Sequence, residues 1–467
     1  MVKIHSNLIP SDVKEMLKVL NNHYFEGFVV GGAVRDACLN KTPHDWDICT
    51  NAKPHEIKQI FKKTFDTGIK HGTVTVLSDN NEAFEITTYR SDGKYTDGRR
   101  PDTVEFVTSI NEDLSRRDFT INAMAMDISG TIIDPFGGYN DLIKNHLIKC
   151  VGDPDKRFNE DALRMLRAIR FSAVLGFKID ENTFEAIKRN KDKISLISAE
   201  RIRDELTKIL LSSHPSTGFK ALELSGLSEI ILPEYNRMSD CYQKSPFHYS
   251  TVAEHSLNVV EKVPPVKELR WAALLHDCGK PDTQKWNYEK DRDTFYNHPA
   301  VSKEITRDIL NRLKFSNEEK RKILNLVEFH DYYSTTPSKL RRFIAEHDED
   351  FPYELILLKK ADAASHHPEY ITEIENHNKV MFEIMEEILR DGSAIKISDL
   401  AINGNELMEI GLRGHQIADF KESIYPNILG QPDLNTKEFL TEQAKKFFNK
   451  EQRHNSFYEE DSVSIEL

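Results

Sequence analysis

The sequence predicts an α+β chain, with a mixed α/β head at the N-terminus followed by regions that are helical throughout. Three observations carry this. Short β-rich runs alternate with helical stretches over roughly the first 140 residues. After about residue 150 the apolar spacing becomes helical almost without interruption. Hydrophobic residues fill 39% of 467 positions, enough for several cores, three or four by size.

The opening, MVKIHSNLIPSDVKEMLKVL, reads as an amphipathic helix rather than a signal peptide. FEGFVVGGAV reads as a strand running into a glycine turn, and DWDICT, GTVTVL, AFEITTYR and TVEFVT as further strands. NEDALRMLRAIRFSAVLGF reads as one helix stopped near Gly176, and SAERIRDELTKILLS as another opened by Ser198 as cap. Beyond that helix the chain is punctuated by Pro215, Pro233 and Pro246. A histidine-rich helical block runs over 246–366, and charged helices with a break at Asn403-Gly404 complete the chain. Four regions result: 1–145, 146–240, 246–366 and 367–467.

No apolar run is long enough to cross a bilayer, so no membrane partner is expected. The five cysteines form no CxxC pair, and their odd number fits a reducing cytoplasm. The net charge of −13 argues against a surface coated in nucleic acid but leaves room for a local basic groove. No obligate protein partner is evident.

Gly31-Gly32-Ala33-Val34-Arg35-Asp36 stands between a strand and a helix, where glycines let backbone approach a ligand closely. Asp45-Trp46-Asp47 comes next. On a strand, residues i and i+2 share a face, so both carboxylates point outward while Trp46 and Ile48 turn inward. Like charges so placed call for a cation, and Mg²⁺ on such a pair can activate a hydroxyl and steady a leaving pyrophosphate. Glu85 is either a third metal carboxylate or an exposed strand residue.

GGAVRDACLNKTPHDWDICT resembles the signature of the polymerase β superfamily of nucleotidyltransferases, in the branch of class II CCA-adding tRNA nucleotidyltransferases and bacterial poly(A) polymerases. The resemblance continues through ITTYRSDGKYTDGRRPDTVEF, then Arg116-Arg117-Asp118-Phe119-Thr120-Ile121-Asn122-Ala123, then Asp134-Pro135-Phe136-Gly137-Gly138. Glu160-Asp161-Ala162-Leu163-Arg164 and Ser198-Ala199-Glu200-Arg201-Ile202 complete it, over roughly residues 24 to 235. It implies a nucleotidyltransferase head of polymerase β type, then helical neck and body. It also implies roles. Asp45 and Asp47 hold Mg²⁺ and catalyse, Gly32 and Arg35 hold the triphosphate, and Arg117 contacts the nucleotide with Asp118 nearby. Asp161 and Arg164 read the base, with Arg167 and Arg170 helping to hold the nucleotide. The implied reaction adds CCA to tRNA 3′ ends from CTP and ATP.

The base-reading pair makes chemical sense on its own. Asp161 and Arg164 are i and i+3 on the expected helix, hence neighbours. A carboxylate accepts and a guanidinium donates, which suits the amino group and adjacent ring nitrogen of cytosine and adenine; uracil and guanine present the reverse. Poly(A) addition on the same scaffold is the alternative. Tyr95-Thr96-Asp97-Gly98-Arg99-Arg100-Pro101 resembles the flexible element with which CCA-adding enzymes switch from C to A, or is a static basic turn. Recognition of tRNA is expected by shape and backbone in the helical half.

A second constellation lies in the histidine-rich block: His255, His276-Asp277 after an apolar run, His298, His330-Asp331 and Asp362. Imidazole and carboxylate together suit divalent metals, whether Mg²⁺, Mn²⁺ or a transition metal. The order resembles the HD phosphohydrolase superfamily, with His255, His276, Asp277 and Asp362 in its four ligand positions. His298 and His330 then support a second metal or bind phosphate. Two readings stand: an active phosphohydrolase, which would make nucleotide binding by the head subsidiary if the head were inert, or a helical domain that only helps bind RNA.

Overall fold

The computed structural model of the chain describes residues 2–4, 8–43, 45–92, 104–247, 250–391 and 396–463. The expected switch element Tyr95–Pro101 lies outside them. The chain forms two compact units. One joins Met1–Tyr242, Thr251–Leu274 and Glu304–Lys320; the other joins Gln243–Ser250, Leu275–Lys303 and Arg321–Leu467. The stretch expected to form one region, 246–366, is thus divided between them.

In the first unit the helix Ser11–Asn22 buries Val13, Met16, Leu17 and Leu20, a helical stripe as the sequence predicts. Strands β1 (Gly27–Val30), β2 (Ile48–Thr50), β3 (Thr64–Gly68), β4 (Thr73–Leu77) and β5 (Ala83–Thr88) come next, then a small hairpin of β6 (Arg90–Asp92) and β7 (Val104–Phe106). With β8 (Ala125–Met126) and β9 (Ile132–Ile133), strands β1 to β5 make a seven-stranded sheet in the order β3-β4-β5-β2-β1-β8-β9. β2 and β5 are the parallel pair, with Ile48 beside Ile86. This register brings the residue before Ile48, Asp47, level with Glu85.

Two expectations need correction. DWDICT is strand only from Ile48 onward, although the exposure alternates as expected, with Asp45 and Asp47 open and Trp46 half-buried. The helix expected to run unbroken to Gly176 is two helices, Pro154–Glu160 and Leu163–Leu175. Asp161 between them is extended, at φ −146° and ψ 107°. Its Oδ1 accepts from the Leu163 amide at 3.0 Å, a local side-chain cap that competes with continuing the helix. Gly176 does end the second helix, in the left-handed region at φ 70°. Ser198 stands at the start of Ala199–Leu210 without a side-chain capping bond.

The second unit is helical apart from the hairpin Lys285–Asn287 with Arg292–Thr294. One of its cores gathers Leu340, Ile344, Ile356, Met381, Phe382, Met385 and Ile388, drawn from Pro337–Ala345, Phe351–Ala363 and Pro368–Asp391. A separate core at Leu400–Ala444 holds the last helices together, where Asn403 caps Gly404–Ile410. Among the described residues no helix is long and apolar enough to cross a membrane. None of the five cysteines is in a disulfide.

One close backbone approach supports the head. Asp134 accepts from the amides of Gly138 and Tyr139 at 2.7 and 2.9 Å, turning the chain against the Thr120 carbonyl. A Cβ at Gly138 would stand 2.0 Å from that oxygen. Gly138→Ala should therefore cost about 1–3 kcal/mol through forced backbone displacement, read as a lower Tm in a thermal melt; an unchanged Tm would contradict the packing.

Candidate functional site

The glycine turn sets the first site. Gly31 follows β1 at φ 70°, and a Cβ there would come within 3.0 Å of the Arg117 guanidinium. Around this turn a pocket of about 380 Å³ is lined by Gly32, Arg35, Asp47, Arg117, Asp161, Arg164 and Arg167, together with Asn122, Phe171 and Arg201. The first unit thus brings together the nucleotide-binding candidates, with Arg170 as the exception. Asp45, Trp46, Asp47 and Glu85 line an adjoining hollow. The Asp47 carboxyl is raised above its usual range, chiefly by partial desolvation; Arg117 opposes this and Asp45 adds to it. Carboxylates sharing one hollow in this way suit an oxygen-bound divalent cation such as Mg²⁺.

Each arginine is held by an acid, some at helical spacing and others remote in sequence. Arg117 and Arg116 bind the buried Asp113 at 3.2 and 2.7 Å. Arg167 binds the buried Asp118 at 2.6 and 2.8 Å, and Asn122 donates to the same carboxylate at 3.2 Å. Arg35 donates to Asn122 at 2.8 Å and to Asp36 at 2.9 Å. Arg170 turns to the buried Glu205 at 2.8 Å. Phe171 lies among the guanidiniums of Arg35, Arg167 and Arg170, at 5.1, 5.5 and 4.2 Å from its ring centre.

Asp161 and Arg164, expected as neighbours on one helix, each bind a different partner. Asp161 accepts from Arg201 at 2.8 Å, while Arg164 donates to Glu160 at 2.6 Å and to the Arg116 carbonyl at 3.1 Å. The helix break separates the two side chains, yet both line the pocket. Arg201 was visible in its motif, but its partner was not: the pair spans 40 positions.

In the second unit a pocket of about 440 Å³ is lined by His276, Asp277, Lys280, His298, His330, Asp331, Asp362 and His366. Asp277, His298 and His330 place their ligand atoms within 4.8 Å of one another. The two imidazoles approach through Nε2 at 3.1 Å, and each stands beside Asp277 Oδ1, at 3.2 and 3.6 Å. Their Nδ1 atoms meet the carbonyls of Phe295 and Val327 at 2.9 and 2.7 Å. A carbonyl only accepts, so Nδ1 carries a proton in both rings, and Nε2 is the atom each would offer a metal beside the Asp277 carboxylate. Three converging acceptors fit a divalent metal. His276 lies 3.2 Å from Asp277 and 3.7 Å from Asp362. Burial works against its charged form, but these carboxylates outweigh burial and push it up to about 10. Lys280 binds Asp277 at 2.7 Å and, with His276, holds that carboxyl well below its usual range against burial. His255 is buried on Val252–Lys262 in the first unit.

The Asp118–Arg167 pair gives a pH test. Burial alone would raise the Asp118 carboxyl; Arg167 and Arg164 overcome this and hold it at about 2, below the ordinary 3.8. A depressed folded value means stability that is complete above about pH 4 and is lost as pH falls through 2, on the order of 2 kcal/mol. Arg167→Met should cost about 3–5 kcal/mol at neutral pH by leaving a buried carboxylate uncompensated. It should also flatten the loss of stability between pH 4 and 2, both read from urea denaturation across pH.

Comparison with known proteins agrees with this geometry. Residues 27–149 match the profile of the Poly A polymerase head domain, 176–238 that of the probable RNA and SrmB-binding site of polymerase A, and 248–366 that of the HD domain. A CCA-adding enzyme of Lactobacillus helveticus is 49% identical over 295 residues, which cover 63% of this chain and 69% of that protein. One from Lactobacillus johnsonii is 54% identical over 214 residues, 46% of this chain and about half, 53%, of its own length. The crystal structure of the Bacillus stearothermophilus CCA-adding enzyme in complex with CTP superimposes with a TM-score of 0.68 at 27% identity, over 95% of this chain and 98% of that one. With an aligned, ordered set of head residues and a relative matched over more than two thirds of its length, the chain belongs to the family of CCA-adding enzymes.

Proposed function

We propose that the chain adds CCA to the 3′ end of tRNA from CTP and ATP without a template, in the cytoplasm, and that the pocket under the Gly31-Gly32 turn is where it does so. The observation that carries this is the hollow in which Asp47, Asp161 and six arginines converge. Asp45 and Asp47, with Glu85 across the sheet, would hold Mg²⁺, which supplies activation of the attacking hydroxyl and neutralises the leaving pyrophosphate. Arg35 and Arg117 bind the triphosphate beside the Gly32 backbone, and Arg167 closes the same wall. The tRNA 3′-oxygen bonds to the α-phosphorus, and the bond to pyrophosphate breaks.

Asp161 spends one oxygen on Arg201 and one lone pair on the Leu163 amide, which leaves it capacity to accept from the amino group of cytosine or adenine. Arg164, steadied by Glu160, donates to the neighbouring ring nitrogen. Arg170 acts on the nucleotide only through Phe171 and Glu205. In the second unit His276, Asp277 and Asp362 would hold a divalent metal, Mg²⁺, Mn²⁺ or a transition metal, that supplies activated water for phosphoester hydrolysis. The converging Asp277, His298 and His330 favour activity there over a role in RNA binding alone.

The test uses tRNA transcripts ending before CCA and after CC, and an unrelated RNA, with CTP and ATP separately and together. Ordered addition of C, C and A that then stops is expected. The Asp45→Ala/Asp47→Ala variant should lose at least about 10³-fold in rate, several kcal/mol of transition-state stabilisation. Asp161→Ala should lower kcat/KM for CTP and ATP about 10²-fold and narrow the margin against UTP. Repeated A addition to any RNA, with CTP ignored, would identify a poly(A) polymerase instead.

A further inference from the structure

The pocket of the second unit contains groups that metal-assisted hydrolysis does not use. Beside its carboxylates and imidazoles stand Lys290 and Arg292, both from the hairpin Lys285–Thr294. Neither has a carboxylate partner among the described residues. Arg292 lies over the Phe247 ring at 5.2 Å, and Phe247 is itself backed edge-on by Tyr370 at 4.9 Å. The guanidinium is therefore held in place without being neutralised. Its neighbour in the pocket lining, Asp293, is already engaged, accepting from the Lys244 amide at 2.9 Å and from Gln284 at 3.0 Å. Glu289 and Asp291 of the hairpin do not line the pocket.

Aromatic rings flank these cations. Tyr296 lines the pocket and is 69% exposed, and Tyr288 at the hairpin turn is 89% exposed. Large rings left in solvent beside unneutralised Lys and Arg are the pairing that binds single-stranded nucleic acid, with bases stacking on rings and backbone phosphates meeting cations. The pocket, about 440 Å³, takes a terminal nucleotide, and its wall continues onto the hairpin.

We propose that the hairpin Lys285–Thr294 is a strand-binding platform that makes the 3′-phosphorylated end of single-stranded RNA the substrate of this pocket. The terminal phosphate lies at the Asp277–His298–His330 cluster, the next backbone phosphate meets Lys290 and Arg292, and the terminal base stacks on Tyr296. Water adds its oxygen to phosphorus, the bond to the ribose oxygen breaks, the ribose oxygen takes a proton, and inorganic phosphate leaves. This rests on the reading of the second unit as a phosphohydrolase.

The full chain is assayed for phosphate release in Mn²⁺ from p-nitrophenyl phosphate, a nucleoside 3′-phosphate and a tetraribonucleotide with a 3′-phosphate. Lys290→Gln/Arg292→Gln and Tyr296→Ala should each raise KM for the tetranucleotide about tenfold or more. Turnover of p-nitrophenyl phosphate should stay within about twofold, and CCA addition should be kept. The proposal is overturned if all three substrates suffer alike, if none does, or if the mononucleotide matches the tetranucleotide in KM and in its response. Should the wild-type chain release phosphate from none of them, the phosphohydrolase reading fails, and anisotropy of a fluorescein-labelled tetranucleotide decides the platform separately. A Kd weakened about tenfold in Lys290→Gln/Arg292→Gln supports it, and an unchanged Kd overturns it.

Discussion

Three guanidiniums, those of Arg35, Arg167 and Arg170, surround the ring of Phe171, each 4.2 to 5.5 Å from its centre, and like charges gathered round one ring repel. What keeps them together is a matching set of acids placed behind them. Asp118 and Glu205 are buried, as is Asp113 behind Arg117. Taking a carboxylate out of water is expensive, and such a pair adds little net stability over a well-packed apolar contact. Its value here is orientation. A carboxylate fixed by burial holds one edge of a planar guanidinium, so the other edge faces the pocket without the entropy that a free arginine would lose on meeting a triphosphate.

The same constraint explains why Asp161 departs from helical geometry. Kept in a continuous helix, its carboxylate would face Arg164 one turn on, and the two would neutralise each other. The break after Glu160 hands Asp161 to Arg201 and Arg164 to Glu160. Each then keeps unspent hydrogen-bonding capacity toward the pocket. Discrimination between bases depends on what a site leaves unpaired with the wrong partner, so a self-satisfied Asp–Arg pair would read poorly.

Much of this was legible in the chain. The strand-to-glycine turn before Arg35, the alternating exposure of Asp45, Trp46 and Asp47, and the stop at Gly176 result from local rules that act within a few residues. Asp113 stands at helical spacing from Arg117, but the more remote acids behind the arginines were not legible as partners. Asp118 meets Arg167 across 49 positions and Asp161 meets Arg201 across 40, and spacing along a helix says nothing about such pairs. It also placed Asp161 and Arg164 on one unbroken helix, which the Asp161 side chain itself interrupts. In the histidine-rich block the motif order pointed to His255, His276, Asp277 and Asp362, with His298 and His330 in support, whereas the tight grouping of His298 and His330 on Asp277 depends on where two carbonyls hold their Nδ1 atoms.

The two donor sets also differ because their burial differs. Asp45 and Asp47 are open to solvent and offer oxygen alone, so a cation bound there would complete its shell from water and the substrate's phosphates, as suits Mg²⁺ that arrives with a nucleotide. Asp277, His276 and His330 are almost wholly buried and mix nitrogen with oxygen, which favours a metal that stays with the protein. In the head, then, the carboxylates keep access to solvent, although Asp47 is partly desolvated, and the arginines carry the standing positive charge. In the second unit the candidate ligands are buried, and a metal held there would leave recognition to the groups lining the rest of the pocket, among them the proposed platform of the hairpin.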